Sequence, residues 1–585
     1  MLVYGDATRR ESVARKLETL RGLLADARAS PPGIGRHSLL VDALIEAGEL
    51  AQCIADARFD AAGQRDAASC EVQAAMALTM AMARLCARSW TSAFACWLDA
   101  NDEEIAACEA LLPLSIDIDV KQPEGYAFYA LYPESYFIAA GRLQRRPWRV
   151  IGLRSIGTSL AAMVAVALGD TAPLTLRPVG HPFDRRVAWS GAPLAMPHAH
   201  HAIVDEGPGF SGSSMACVVR QLRQEGVAPD RIHLFPGHGN GPGPKASTET
   251  RALWSQTALH VVGTDELILH AADPAHRLQT WVEGIVGPLQ APLFELTGGG
   301  WRNAHGLDEH EAPPAHPWQE RRKFLAHGEG GMWLVKFIGL GHGARQRFEC
   351  ARALAEAGFS PAVAGLCHGF MVERWHADMA PLTSEHLGCT ALRAQLIAQL
   401  ARYIAFRARS FPAAGESGAS LQALCDMGRH NSIEAFGTGS GDAWDVYARQ
   451  ANQLQGRVKR VRTDNRMQAW EWLAGDERLL KTDAVDHHAG HDLVGCQDPA
   501  WDAAGAAAEF GLDAAELGQL LDGLRRHGCP IDAALLALYT PAYLAFQLGQ
   551  YRLAAQDARS PIERARLEAQ AERHARALRR QLSGT

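Results

Sequence analysis

From Trp148 to Phe235 the chain alternates strand-like and helix-like segments: WRVIGL, LAAMVAVALG, LTLRPVG, then after an irregular loop HAIVD, MACVVRQLRQEGV and RIHLF. Parallel strands can be joined only through a crossover, which is normally a helix and right-handed. This stretch therefore predicts an α/β unit with a parallel sheet, and the rest of the chain must be arranged around it. With 585 residues there is room for about three or four domains of ordinary size.

Upstream, Val13, Leu17, Leu20 and Leu24 fall on one helical face, and a second apolar series follows Leu39, Leu40 and Leu44. Residues 1–109 are read as a helical N-terminal region with a structural role. The β-rich segments SIDIDV and YAFYALY begin near residue 110, so the parallel-sheet unit is assigned 110–302, with PGHGNGPGPKAS (Pro236–Ser247) as an irregular loop after its last long strand. NAHGLDEHEAPPAHPWQERR is polar, proline-containing and without periodicity, which predicts a linker over 303–322. Residues 323–585 run β-rich (KFLAHGEGG, WLVKFIG), helical (RQRFECARALAEAG), β-rich again (GLCHGFMVERW) and then mostly helical, the order of an α+β unit.

Composition narrows the partners. A hydrophobic share of 47% with 21% charged residues is globular, and a net charge of −7 gives no general attraction to nucleic acid or an anionic membrane. The Arg-rich C-terminal segment YRLAAQDARSPIERARLEAQAERHARALRRQL has acids interspersed, so it reads as a solvated helix pair rather than a nucleic-acid contact. The apolar runs near Ala74–Ala83 and Leu160–Leu168 are shorter than the roughly 18 residues of a membrane span. MLVYGDATRRESVARK lacks the basic and apolar regions of a secretory signal, so a cytoplasmic location is expected. The 12 cysteines form no CxxC pair, which predicts reduced, mostly buried thiols.

The first chemical constellation is HAIVDEGPGFSGSSMACVV, where Asp205 and Glu206 end an apolar strand and a Gly/Ser-rich turn leads into a helix. Unpaired N–H groups at the start of that helix favour a phosphate; Gly207, Gly209 and Gly212 admit close backbone approach, and Ser211, Ser213 and Ser214 add hydroxyl donors. The acidic pair can hold ribose hydroxyls directly or through a divalent ion. The segment resembles the phosphoribosyl pyrophosphate signature of type I phosphoribosyltransferases, and the earlier Arg154, Ser155, Ile156, Gly157, Thr158, Ser159 loop resembles that family's pyrophosphate loop. The resemblance covers roughly 110–300, with one extra residue between Glu206 and Gly212. It implies attack by a nitrogenous or other small-molecule acceptor on phosphoribosyl pyrophosphate, with Arg154 and Mg2+ stabilising the leaving pyrophosphate, and Asp205, Glu206 orienting the ribose, Asp205 also as a metal ligand.

The second constellation begins with Lys336 on the WLVKFIG strand and Glu349 on the following helix, an order that resembles the N-lobe of a protein-kinase-like fold, with MVERW (Met371–Trp375) at the hinge. DPAWDAAGA resembles the helix-starting motif of the aminoglycoside phosphotransferase and small-molecule kinase group. That resemblance implies ATP binding at Lys336, paired with Glu349, a catalytic role for Asp464, magnesium on Asp483 and a structural role for Asp502. Arg462-Thr463 stand where the group has His-Gly, the metal asparagine is absent with Gln468 as a substitute, and Asp486 competes with Asp483 for the metal. The DHHAGHD histidines, with Asp486 or Asp492, and the PHAHH histidines (His198, His200, His201) match no strong zinc spacing and read as solvated or substrate-loop groups.

Together these readings imply a phosphoribosyltransferase joined to a kinase-like unit, with phosphoribosyl pyrophosphate or another ribose phosphate, ATP and Mg2+ as ligands. The alternatives are a small-molecule kinase acting on a ribosylated substrate and a non-catalytic nucleotide-sensing regulator.

Overall fold

The computed structural model describes residues 8–96, 102–309, 312–317, 319–413, 418–475, 478–490 and 493–583. Ser12 caps the first long helix, its hydroxyl accepting from the Arg15 N–H at 3.2 Å. Three helices, α1 (Val13–Ala29), α2 (Ile34–Ala61) and α3 (Cys70–Thr91), pack on one another through the apolar faces read from sequence. YAFYALY is not a strand. Pro123 starts a short helix, Glu124–Phe128, and Tyr126 and Tyr132 enter the core; a further helix, α4 (Pro133–Gly141), follows.

The parallel sheet is built from β1 (Trp148–Leu153), β2 (Leu174–Leu176), β3 (His200–Val204), β4 (Ile232–Phe235) and β5 (Ala258–Leu259), in the spatial order β2-β1-β3-β4-β5. All neighbours are parallel, with Ile151 opposite both Leu174 and Ile203. Alternation divides the strands between two cores: Val150, Ala202 and Val204 face the N-terminal helices and α5 (Gly157–Leu168), while Ile151, Ile203 and Leu234 face α6 (Ser213–Gln224). The N-terminal helices thus serve as one layer of the α/β unit. Where α2 meets α5 the approach is tight: a Cβ on Gly48 would lie 2.7 Å from that of Ser159.

A second, antiparallel sheet has the order β6-β7-β8-β10-β9, from β6 (Phe294–Glu295), β7 (Lys323–Gly328), β8 (Gly331–Phe337), β9 (Val363–Cys367) and β10 (Phe370–Arg374), with helix α7 (His342–Glu356) between β8 and β9. Below it, β11 (Ala380–Pro381), β12 (Trp472–Ala474) and β13 (Leu479–Lys481) form a small sheet on a helical body that includes α8 (Thr390–Ser410), α9 (Pro499–Glu509), α10 (Ala533–Asp557) and α11 (Pro561–Ser583). The Arg-rich C-terminal segment is the tail of α10 and all of α11, packed together.

The segment 303–322 is not a loose tether. β6, which precedes it, pairs with β7, which follows it. Gln319 donates to Gln550 at 3.0 Å, and Arg321 is buried against Asp486 at 2.9 Å. Phe324, Val335, Phe337 and Phe370 join the same core as the N-terminal helices. None of the 12 cysteines is in a disulfide and most are buried; among the described residues no helix is long and apolar enough to cross a membrane.

Candidate functional sites

The crossovers from β1 and β3 leave on opposite faces of the parallel sheet, through α5 and α6. In an open α/β sheet this reversal leaves a crevice beyond the carboxyl ends of the two strands. Both sequence-derived loops end there. A Cβ on Gly157 would lie 2.7 Å from the Val204 carbonyl oxygen, so the first turn of α5 abuts the end of β3 only because this residue is glycine. Asp205 and Glu206 follow directly, both half-buried. Burial pushes the Asp205 carboxyl up to about 7, although its Oδ1 accepts from the Glu206 N–H at 2.8 Å and Arg177 opposes the shift. Thr158, in the first turn of α5, is buried with no hydrogen-bond partner for its hydroxyl, whereas the Ser159 hydroxyl is shared with Tyr126 at 2.8 Å. Ser155 is half-buried, its carbonyl accepting from the Thr158 N–H at 3.1 Å.

Three residues expected to contact phosphate are otherwise engaged. Arg154 is buried away from the crevice, its Nε on Asp56 at 2.8 Å and its Nη2 on Asp66 at 2.5 Å, so it fastens the loop to the N-terminal helices. The Ser211 and Ser213 hydroxyls donate to the Pro182 carbonyl at 3.1 and 2.8 Å and hold the hairpin of Val179–His181 and Asp184–Arg186 over the loop. Gly212 (φ 64°) lies where a Cβ would collide with Pro242 and Trp254. Gly207, Gly209 and Ser214 retain at least partial exposure. Arg177, which no motif marks, is a candidate cation here: it is half-buried, bonded through Nε to Asp56 at 3.0 Å, and its charge acts on Asp205.

The second site is the cleft between the antiparallel sheet and the helical body. Lys336 on β8, in register with Met371 of β10, reaches across it to Asp483 and lies 3.7 Å from Asp486. The cleft is lined also by Met371, Glu373 and Trp375 from the expected hinge, and by Leu473, Arg466 and Glu471 from below. Lys336 holds Asp483 and Asp486 well below the ordinary carboxylate range, and burial lifts Glu373 to about 7. Glu349 does not pair with Lys336: it is exposed on the outer face of α7, and carboxylates from below the cleft take that place. The buried charged residue of that helix is Arg347, bonded to the Ile338 carbonyl.

Asp464 is also displaced from its expected position. It does not line the cleft; it is fully buried, accepting from Tyr403, 3.4 Å from Lys481 Nζ and 3.4 Å from His487 Nδ1. These cations keep it ionised, well below its ordinary pKa. His487 links the two carboxylates, its Nε2 lying 3.5 Å from Asp483. Asn465, at φ 66°, pins the loop by donating to the carbonyls of His487 and Gly495 at 3.0 and 2.9 Å. Asp502 accepts from the N–H groups of Asp464 and Asn465 at 2.8 and 2.9 Å, and its carboxyl is lifted to about 6 by burial and by Asp464. Asp502→Ala strands two buried N–H groups and should cost about 2–6 kcal/mol, read as a lowered urea midpoint.

Asp483, Asp486 and His487 each bring a ligand atom within 4.8 Å of the others. Mg2+ is held by one or two carboxylates together with substrate phosphates, a demand that Asp483 and Asp486 fit. Gln468 is buried, lies off the cleft and has no partner for its Oε1. His488 is half-buried, and desolvation keeps its ring well below its ordinary pKa; His491 and Asp492 lie outside the described residues. Of the PHAHH histidines, His200 bonds His233 at 2.9 Å and the His201 ring accepts from the Met196 N–H at 3.0 Å. The segment read as a linker closes the cleft's outer side. His305 stacks on Trp375 at 4.2 Å, and Arg321 spans from Asp486 to the face of Phe128 at 4.5 Å.

No family profile and no curated protein matches the chain. Among solved structures, choline kinase LicA from Streptococcus pneumoniae is similar at 14% identity and a TM-score of 0.32, over 43% of this chain and 89% of that one. A choline/ethanolamine kinase family protein from Mesorhizobium loti is similar at 17% identity and a TM-score of 0.31, over 54% and 97%. A thermostable mutant of aminoglycoside phosphotransferase APH(4)-Ia is similar at 12% identity and a TM-score of 0.32, over 51% and 99%.

Proposed function

We propose that this protein is a small-molecule kinase whose parallel-sheet unit holds a ribose-phosphate group of the acceptor. The observation that carries this reading is the Lys336–Asp483 pair across the cleft, made between a sheet strand and the turn after β13. Lys336 binds the phosphates of ATP; Asp483, with Asp486 behind it, holds Mg2+, which supplies neutralisation of phosphate charge. Met371 and Trp375 offer apolar surface for the base. Asp464 and His487 lie buried off the cleft and orient Asp483 from behind, His487 lying 3.4 Å from Asp464 and 3.5 Å from Asp483. The test is calorimetry of the folded full chain with ATP–Mg, together with incubation in a metabolite extract while ADP and new masses are followed. A folded protein that binds no ATP–Mg ends the reading.

A second reading is phosphoribosyl transfer, favoured by the meeting of Asp205, Glu206 and the unpaired Thr158 hydroxyl at the reversal of the parallel sheet. Here Asp205 and Glu206 orient the ribose while the first turn of α5 and Arg177, in place of Arg154, receive pyrophosphate. Asp205 gives this reading a pH signature. Its carboxyl is lifted to about 7 in the folded state from an ordinary 3.8, so between those values the folded chain binds the extra proton and stability falls as the pH rises. Asp205→Asn should therefore be more stable than wild type at pH 8 by thermal melt, yet bind phosphoribosyl pyrophosphate at least about tenfold more weakly by calorimetry. Unchanged affinity would remove Asp205 from the ligand site.

A further inference from the structure

We propose that His37, Glu134 and His368 form a buried binding site for one divalent metal ion of the zinc class, fastening the three parts of the chain together. The residues come from α2, from α4 and from the turn between β9 and β10, so no sequence motif could have grouped them. All three are buried, and each offers a ligand atom within 4.8 Å of the others. His37 Nε2 and His368 Nε2 converge on the same oxygen, Glu134 Oε1, at 2.7 and 2.9 Å. The second oxygen, Oε2, is buried without a hydrogen-bond partner.

The protons select the ligand. Ser38 Oγ donates to the Ile34 carbonyl at 3.0 Å and lies 3.2 Å from His368 Nδ1. A hydroxyl has one proton, so here Ser38 accepts and His368 carries its proton on Nδ1. In a neutral ring the Nε2 lone pair then faces the carboxylate oxygen, which is repulsive unless a cation lies between them. His37 Nδ1 also faces a hydroxyl, Ser89 Oγ at 3.0 Å, which can accept a proton from it. Metal-bound histidines characteristically donate their other ring N–H in this way. Two imidazoles and a carboxylate suit zinc, and Oε2 can make the same carboxylate bidentate. Bonds of about 2.1 Å set tetrahedral ligand atoms about 3.4 Å apart, so entry of the ion requires the three groups to separate by roughly half an ångström. Trp90, Phe94 and Tyr132 pack on the histidine rings, which excludes bulk water.

The test is zinc titration of the full chain in competition with a chromophoric chelator, with metal content measured after dialysis. Wild type is expected to retain one zinc per chain; His37→Ala and His368→Ala should retain none, and Ser38→Ala should bind about 10–100-fold more weakly. A folded wild type that takes up no zinc, or a His368→Ala variant that retains as much, overturns the proposal and leaves a protonated histidine–carboxylate pair. Should the histidine variants fail to fold, cobalt(II) added to wild type decides: intense visible bands of a tetrahedral site support the proposal, and the weak bands of an octahedral ion overturn it.

Discussion

Lys336→Met is expected to abolish measurable ATP–Mg binding and to lower any phosphotransfer by at least about a hundredfold in kcat/KM. Methionine keeps the length and apolar stem of the side chain, so β8 retains its packing between β7 and β10. What is lost is the cation that meets Asp483 and lies 3.7 Å from Asp486. Asp486 keeps Arg321 at 2.9 Å, whereas Asp483 keeps His487 at 3.5 Å. Both carboxylates have depressed pKa values in the wild type, so each contributes stability that is present above its unfolded pKa and lost as the pH falls through the acid range. The variant should therefore be less stable than wild type near pH 7, and the difference should shrink on acidification. Calorimetry with ATP–Mg and urea midpoints at neutral and acidic pH measure the two effects. Wild-type affinity in the variant would remove Lys336 from the nucleotide site.

The alternation of strands and helices after Trp148 was enough to anticipate a parallel sheet, because right-handed crossovers leave few arrangements. The order of Lys336, Met371–Trp375 and Asp483 likewise brings residues to one cleft, whereas Asp464 and Asp502 lie buried off it. The sequence was less informative about what each side chain touches. Arg154 sits in a loop that resembles a pyrophosphate site, yet its partners, Asp56 and Asp66, lie almost a hundred residues upstream and carry no local signal. Glu349 has the right spacing from Lys336, but the carboxylates beneath the cleft lie closer to the lysine than α7 brings it. The polar, proline-bearing stretch 303–322 reads as a linker because its anchoring contacts, such as Arg321 on Asp486 and Gln319 on Gln550, are long-range. YAFYALY has β-type composition and forms a helix and turn instead, since burial of Tyr126 and Tyr132 outweighs a weak strand propensity.

Arg154→Ala separates the two roles that this arginine has been given. The guanidinium is buried between two carboxylates, 2.8 Å from Asp56 and 2.5 Å from Asp66, and Asp66 itself is only 5% exposed. Removing one member of such a group leaves a buried charge without its partner, which costs about 3–5 kcal/mol. Asp56 keeps Arg177, so the deficit falls mainly on Asp66, whose other oxygen accepts only the Arg177 backbone N–H at 2.7 Å. The variant is expected to show a much lower urea midpoint with an unchanged slope, and Arg154→Met combined with Asp66→Asn should recover part of the loss because no uncompensated charge remains. Under conditions where the variant is folded, affinities for pyrophosphate and ribose 5-phosphate should fall by no more than a few-fold, and to similar extents. The opposite pattern, near-normal stability with a selective loss of pyrophosphate affinity, would mean that Arg154 leaves its aspartates to meet a ligand, and would return it to the phosphate site that the loop motif implies.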